Sequence, residues 1–364
     1  MVRPDPSPEV ADPPADLVRT SGTVPDPARG SQDRSARAAT IVDVARVAGV
    51  SRQTVTRALN GLPDVSLATK ERVVAAARAL NYRPNRSAQS LVRGHSVTVG
   101  LLVEDLANPY SSELAGALSS AAAARGWAVV LAEVVSAATV SRAVSALAER
   151  ADGLLVTGCR PSTLAVLSSS DDGRATLPTV VLDGPPTGPG DAVVQLDHRA
   201  AIRESLDFLT GQGRSRIAFI DSAESSGMRK EAFQDRLAAQ HPTTTAHVVT
   251  AVESFQGGFD AAATLAALDP RPDGVLAYND VMALGSLSGF ASAGVRVPHE
   301  VAVVGTDGLR IGGYVTPTLT TMAIDKEALA AAALAAVDAL LRGAEPADLV
   351  EELLPLTLMR RSSA

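Results

Sequence analysis

The chain has 364 residues, 46% hydrophobic and 20% charged, with a formal net charge of −7. So much apolar content excludes a wholly disordered chain and, at roughly 100–200 residues per domain, fits two or three domains. The acidic balance argues against nucleic acid or an anionic membrane as the partner of the chain as a whole, and a lone cysteine, Cys159, excludes a disulfide framework and reads as a buried structural thiol.

Residues 1–40 hold seven prolines, many Asp, Ser and Arg, and no continuous apolar run. They offer neither a signal-peptide core nor a membrane span, so a disordered tail on a cytoplasmic protein is expected. The net charge hides a reversal. From Ile41 to Arg93 nine Lys/Arg face three acids, a net +6 that leaves −13 for the rest. A compact basic segment on an acidic body points to a nucleic-acid module joined to a part with another task.

That segment opens with "IVDVARVAGVSRQTVTRALNG" from Ile41, two short helical patterns about one glycine. Val44, Ala45 and Ala48 share the face of a first helix. Gly49 supplies the left-handed turn, and Ser51 is placed to cap a second helix whose Val55, Ala58 and Leu59 point back. A third helix, "SLATKERVVAAARAL", is capped by Ser66 and turns Val73, Ala77 and Leu80 inward. The pattern is a helix-turn-helix module. The outward side of its second helix carries Arg52 and Gln53 in the first turn, then Thr54 and Thr56, then Arg57. Arginine matches guanine O6/N7 and glutamine matches adenine N6/N7 in the major groove. Ser51, Thr54 and Asn60 are of a size for phosphate contacts. A merely solvated face would not require the turn, the cap, the third helix and the basic surplus together.

After a short link, "RPNRSAQSLVRGHS", the texture changes at Val97 to apolar runs alternating with Ala/Leu-rich helical stretches. The runs include "VTVGLLVED", "DGLLVTG", "TVVLDG", "RIAFID", "GVLAYND" and "VAVVGTD". Such alternation implies βαβ units and parallel sheets covered on both faces, and there are enough runs for two Rossmann-like lobes. Asp105, Asp183, Asp197, Asp280 and Asp307 each end a run. Ligands of open α/β sheets bind outside the carboxyl ends of strands, so these acids suggest a cleft for a polar, hydroxyl-rich ligand; capping of the following helix is the competing role for each. No Walker-type loop, HExxH or well-placed GxSxG occurs, and His95, His198, His241, His247 and His299 lack metal-ligand spacing.

The stretches "DVARVAGVSRQTVTRALN", "VSLATKERVVAAARALNYRPN" and "RSAQSLV" closely resemble the headpiece of the lac repressor (LacI/GalR) family of bacterial transcription regulators. The resemblance continues through "NPYSSELAGAL", "YNDVMALG", "GVRVPHEVAVVGTD" and "PTLTTM". It implies an α/β fold: a three-helix headpiece followed by two lobes of periplasmic-binding-protein type. The organisation implied is a tail at 1–40, a DNA-binding domain at 41–84, a hinge at 85–96 and an effector-binding, dimerising body at 97–364. It further implies that Leu91 wedges a central base step in the minor groove. By the same resemblance Asp183, Arg229 and Asp280 hydrogen-bond the effector, and Asn108, Tyr110, Asp197 and Glu253 line the cleft. Arg229 has an alternative role, a salt bridge to one of these acids. Where the family often has "DN--GA", this chain has "DHRAA" from Asp197, and His198 reads as a surface histidine at a helix start, with a pH-sensitive ligand contact as the alternative. "GTDG" at Gly305–Gly308 departs from a frequent "G-(F/Y)-D-D" and lacks its aromatic ring.

The sequence thus reads as a homodimeric regulator that is not an enzyme and needs no cofactor or metal. It is expected to repress from a pseudo-palindromic operator in double-stranded DNA under control of a small polar effector, a sugar or nucleoside-like compound. No leucine heptad follows "LPLTLMRRSSA" to make a tetramer, and no membrane contact is expected. A ligand-binding protein whose headpiece has lost DNA is the rival.

Overall fold

The structure is a computed structural model that describes residues 40–59, 65–80, 96–134, 136–158, 161–169, 177–184, 191–240, 247–346 and 352–364. Of the tail expected at 1–40, residues 1–39 lie outside the described residues, as do Asn60, Leu91 and Cys159. The chain divides into two compact units, one within residues 1–83 and one from 84 onward.

The first unit holds α1 (Ile41–Ala48), α2 (Arg52–Leu59) and α3 (Leu67–Ala79). None is long enough to persist alone, so all depend on burying a shared face. Val44, Val55 and Val73 are fully buried at its centre with Ala45, Ala48, Ala58, Ala76 and Ala77 around them. Asp43 accepts from the amide and the hydroxyl of Thr40, which hold its carboxyl down to about 2. Gly49 takes φ 64°, and the amides of Gly49 and Val50 return to the Arg46 and Ala45 carbonyls. Ser51 Oγ accepts the Thr54 amide at 3.1 Å, and Ser66 Oγ accepts that of Thr69 at 3.3 Å. Both helix starts follow from these caps.

The second unit runs β1 (Thr98–Val103), α4 (Pro109–Ala124), β2 (Ala128–Glu133), α5 (Val140–Ala148), β3 (Gly153–Thr157), α6 (Pro161–Ser169), β4 (Thr179–Leu182), β5 (Ala192–Leu196) and α7 (His198–Gly211). It continues with β6 (Ile217–Ser222), α8 (Met228–Gln240), β7 (His247–Ala251), α9 (Phe255–Ala266), β8 (Gly274–Ala277), α10 (Asp280–Ser292), β9 (Ala302–Asp307), β10 (Thr320–Ile324), α11 (Lys326–Leu341), β11 (Glu352–Leu354) and β12 (Leu356–Met359). Two six-stranded sheets form, ordered β11-β5-β4-β3-β1-β2 and β12-β10-β9-β8-β6-β7. All pairs are parallel except β10–β12. Burial on both faces is why most strands read as unbroken apolar runs.

The chain passes between the sheets three times: after β5, after β10, and at Pro355 between β11 and β12. The second passage sends α11 to the first lobe, where Leu329, Ala333, Leu334 and Val337 pack with Val99, Leu101 and Val180. Each such aliphatic side chain taken from water contributes about 1.5–3 kcal/mol, so α11 is anchored to the lobe opposite the strand that precedes it. Among the described residues no helix is long and apolar enough to cross a membrane.

Candidate functional sites

On the first unit Ser51, Arg52, Gln53 and Arg57 are exposed and Thr54 and Thr56 half-buried, along one side of α2. The buried Val55 and Ala58 fix the rotation of the helix, so that side faces away from the three-helix core. Thr54 and Thr56 turn their hydroxyls to local partners, Ser51 Oγ and the Arg52 carbonyl.

On the second unit the carboxyl ends of both sheets meet at a cavity of ≈ 160 Å³. From the first lobe come Glu104 and Asp105 after β1, Asn108 and Tyr110 at the start of α4, Thr157 ending β3 and Asp183 after β4. The second lobe adds Glu224 after β6, Arg229 on α8, Glu253 after β7, Tyr278 and Asn279 after β8, and Asp307 ending β9. Asn108 caps α4, its Oδ1 accepting the Tyr110 amide at 3.0 Å. Asn279 caps α10 and donates through Nδ2 to Glu253 at 2.8 Å, while Ser222 Oγ donates to the other Glu253 oxygen at 3.2 Å. Among the described residues only Asp183 (φ 54°) and Asp307 (φ 123°) are non-glycine residues with positive φ. Both are cleft acids, and such backbone costs of order 1–3 kcal/mol that surrounding structure must offset.

Arg229 sits at the centre. Nη1 donates to the Tyr278 carbonyl at 2.6 Å, the guanidinium lies 4.2 Å above the Tyr278 ring, and Nη2 stands 3.5 Å from Asp183. The salt bridge considered for Arg229 is therefore formed, and it joins the two lobes. His198 is the third member. It is 2% exposed, a correction to its reading as a surface histidine: as the first residue of α7 it turns toward Asp183 and Arg229 instead of outward. Its Nε2 is 2.8 and 3.0 Å from the Asp183 oxygens and 2.9 Å from Arg229 Nη2. Burial first, then the Arg229 charge, holds the imidazole below its usual range against the pull of Asp183 and Asp197. Burial opposes the charge of Asp183, but His198 and Arg229 outweigh it and keep that carboxyl low. Burial raises Tyr278 to about 12, and burial followed by the Asp183 and Asp307 charges raises Tyr110. Asp307 is pushed well up by burial and by the neighbouring Asp280.

One more expectation is corrected, and Asp197 takes its competing, helix-capping role beside a cavity that shares Asp183, Glu224 and Tyr278 with the first. Asp280 is fully buried and does not face the cavity: its oxygens accept the Leu309 amide at 2.7 Å and Thr321 Oγ1 at 2.6 Å, and burial raises it to about 7. In "YND" the capping residue, Asn279, meets the cleft, and the first helical residue turns back toward β9 and β10. Asp197 spends its carboxylate on the Ala200 amide at 2.9 Å, capping α7, and borders a neighbouring cavity of ≈ 640 Å³ with His198, Arg199 and Met228. Asp183, Arg229, Asn108, Tyr110 and Glu253 are brought together. Glu104, Glu224, Thr157, Tyr278 and Asn279 were not singled out from sequence; Asp105 and Asp307 were, as strand-ending acids.

A family model described as "Bacterial regulatory proteins, lacI family" matches residues 40–85, and one described as "Periplasmic binding protein-like domain" matches residues 206–364. The HTH-type transcriptional repressor PurR of Vibrio cholerae serotype O1 is 32% identical over 78% of this chain and 86% of its own. The ribose operon repressor of Escherichia coli K12 is 31% identical over 90% of this chain and 100% of its own. The lac repressor dimer, solved bound to operator and the anti-inducer ONPF, superposes with a TM-score of 0.64 at 28% identity, covering 90% of this chain and 99% of that one. With a helix-turn-helix unit, two parallel-sheet lobes around a polar cleft, and relatives matched across both, the chain belongs to the lacI family of bacterial regulatory proteins, DNA-binding repressors governed by small-molecule effectors.

Proposed function

We propose that this chain, as a homodimer, represses transcription from a pseudo-palindromic operator, and that a small hydroxylated metabolite of sugar type, held in the cleft, sets its DNA affinity. One observation carries the reading: a single polypeptide combines an exposed Arg52–Gln53 pair on a capped second helix with a polar cavity at converging strand ends. Arg52 and Gln53 read base edges in the major groove, and Ser51, Thr54, Arg57 and Asn60 fix register on the backbone. Leu91, in a hinge spanning 85–96, wedges the central step of the operator. Asp183, Arg229, Asn108, Tyr110 and Glu253 bind the effector by hydrogen bonds, with Asn279 and Asp307 in the place first given to Asp280. The task is binding, with no reaction assigned to it.

A selection from random duplex DNA with the full-length protein, with and without a small-molecule cell extract, tests this. An enriched palindrome whose recovery changes with extract is the expected result. Failure to enrich in either condition overturns the repressor reading in favour of a binding protein with an idle headpiece. An enriched palindrome indifferent to extract overturns the effector reading alone.

A further inference from the structure

The cavity of ≈ 640 Å³ beside the polar cleft differs from it in kind. Leu164 on α6, Leu196 ending β5, Leu353 on β11 and Met228 opening α8 line it, whereas among the described residues Ile324 is the only aliphatic side chain lining the cleft. Its size, and its apolar faces with a few polar groups among them, are those of a small-molecule site. The two cavities are parted by the contacts of His198 Nε2 with Asp183 at 2.8 Å and with Arg229 Nη2 at 2.9 Å, for Arg229 lines only the cleft and His198 only the larger cavity.

Three side chains define what fits. The Arg229 guanidinium covers one face of the Tyr278 ring at 4.2 Å, and the larger cavity meets the remainder of that ring. Met228 brings a polarisable thioether, which packs favourably against aromatic rings. Gln195 is the polar exception in β5, "AVVQL", and its amide is lightly used: Nε2 donates to the Gly184 carbonyl at 3.4 Å, beyond the usual range of such a bond. A primary amide pairs with another amide edge through one donor and one acceptor on each side. A flat, uncharged ring with such an edge meets all three. A hydroxyl-rich sugar would give up water to aliphatic walls that return no hydrogen bond.

We propose that this cavity is a second regulatory site, separate from the effector cleft, for a small uncharged aromatic amide or lactam. Its walls come from both lobes, Leu164, Gln195 and Leu353 from the first and His198, Met228 and Tyr278 from the second. It borders two of the three passages of the chain, the one between Leu196 and His198 and the one that follows Leu353. An occupant touches the Asp183–His198–Arg229 junction through His198, while an effector touches it through Arg229, so each ligand changes the affinity for the other by the same factor. Occupancy of the cavity does not depend on what the cleft binds; only this coupling rests on the effector reading.

The test titrates benzamide and cyclohexanecarboxamide, which share the amide and differ in aromaticity, into the full-length protein labelled with 13C at the methionine methyls. Of the five methionines Met228 lines the cavity, and Met282 and Met322, buried in the second lobe and the first, serve as references. Benzamide is expected to shift the Met228 methyl saturably at about millimolar concentration, far more than the other two, and to bind about threefold or more tightly than the saturated amide. Gln195→Leu, and Leu353→Asp at a side chain 54% exposed, are each expected to weaken benzamide severalfold, with thermal unfolding showing that both variants fold. A Met228 methyl that does not respond overturns the proposal. So do equal binding of the two amides, movement of all three methyls by like amounts, or an affinity unchanged in both variants. An extract effect on operator selection that saturating benzamide leaves unaltered overturns the coupling alone, and the effector reading itself is judged without benzamide.

Discussion

Replacing His198 by Asn is expected to remove a pH dependence from the stability of the effector-binding unit. In the folded chain burial and then the Arg229 charge hold the imidazole pKa below its ordinary value, whereas in the unfolded chain it titrates near 6.5. The group is a base whose folded pKa is depressed, so below pH 6.5 the unfolded state binds the extra proton. Stability is therefore fully present above that pH and falls as pH drops toward the folded pKa. Below pH 6.5 the loss can grow by at most about 1.4 kcal/mol per pH unit, the limit set by one proton. His198→Asn has no such proton to gain. Its amide also supplies a donor for Asp183 and an acceptor for Arg229 on separate atoms, where Nε2 must serve one or the other. Urea unfolding followed by Trp127, the sole tryptophan, reads the effector-binding unit and not the headpiece. At a typical slope of about 1–3 kcal/mol per M, each pH unit below 6.5 should lower the wild-type midpoint by up to about 0.5–1.4 M more than that of the variant. Parallel pH dependence of the two proteins, or ring nitrogen shifts showing His198 protonated at neutral pH, would refute the reasoning.

Arg52→Ala is expected to cost about 1–3 kcal/mol of operator affinity and to relax preference at one base pair per half-site; equal weakening on all duplexes, read by competition binding, would make Arg52 a backbone contact. Gly49→Ala meets no neighbour within 4 Å, so only its φ of 64° is at issue, and thermal unfolding of the headpiece should register about 1 kcal/mol of destabilisation. Asp280→Ala strands the Leu309 amide and the Thr321 hydroxyl and should destabilise by about 1–3 kcal/mol for each orphaned group. Because Asp280 lies outside the cavity lining, the response of operator selection to extract should persist in the folded variant.

Local chemistry explains what was legible in the sequence. The headpiece was readable to single residues because each boundary has its own signal: Gly49 for a left-handed turn, Ser51 and Ser66 for caps, and Val44, Val55 and Val73 for the shared core. Nine strands appeared as apolar runs because a sheet covered on both faces leaves no polar side to interrupt them. What failed was non-local or finer than one residue. Strands β11 and β12, three and four residues long, carry too little periodicity to be recognised, and no local pattern reveals that α11 packs on the opposite lobe. "YND" marks the end of a strand without revealing that the cap, Asn279, and not the first helical residue, Asp280, lines the cleft. His198 looked exposed because histidine at a helix start usually is, and its two partners lie 15 and 31 residues away in sequence.

The same three-residue junction connects binding to shape. Asp183 belongs to the first lobe, while Arg229 and His198 begin helices of the second, so the contacts among them hold the lobes together across the first passage of the chain. One ring nitrogen faces both an acid and a guanidinium, and it donates to the first or accepts from the second, never both. A ligand hydroxyl that accepts a hydrogen bond from Arg229, or donates one to Asp183, would settle that competition and change what bridges the lobes. The free energy involved is that of one charge-assisted hydrogen bond, about 1.5–3 kcal/mol, which is the size of a typical allosteric coupling of about 1–3 kcal/mol. In the proposed binding mode closure needs no further machinery in the cleft, because the groups proposed to hold the effector are the groups that bridge the lobes.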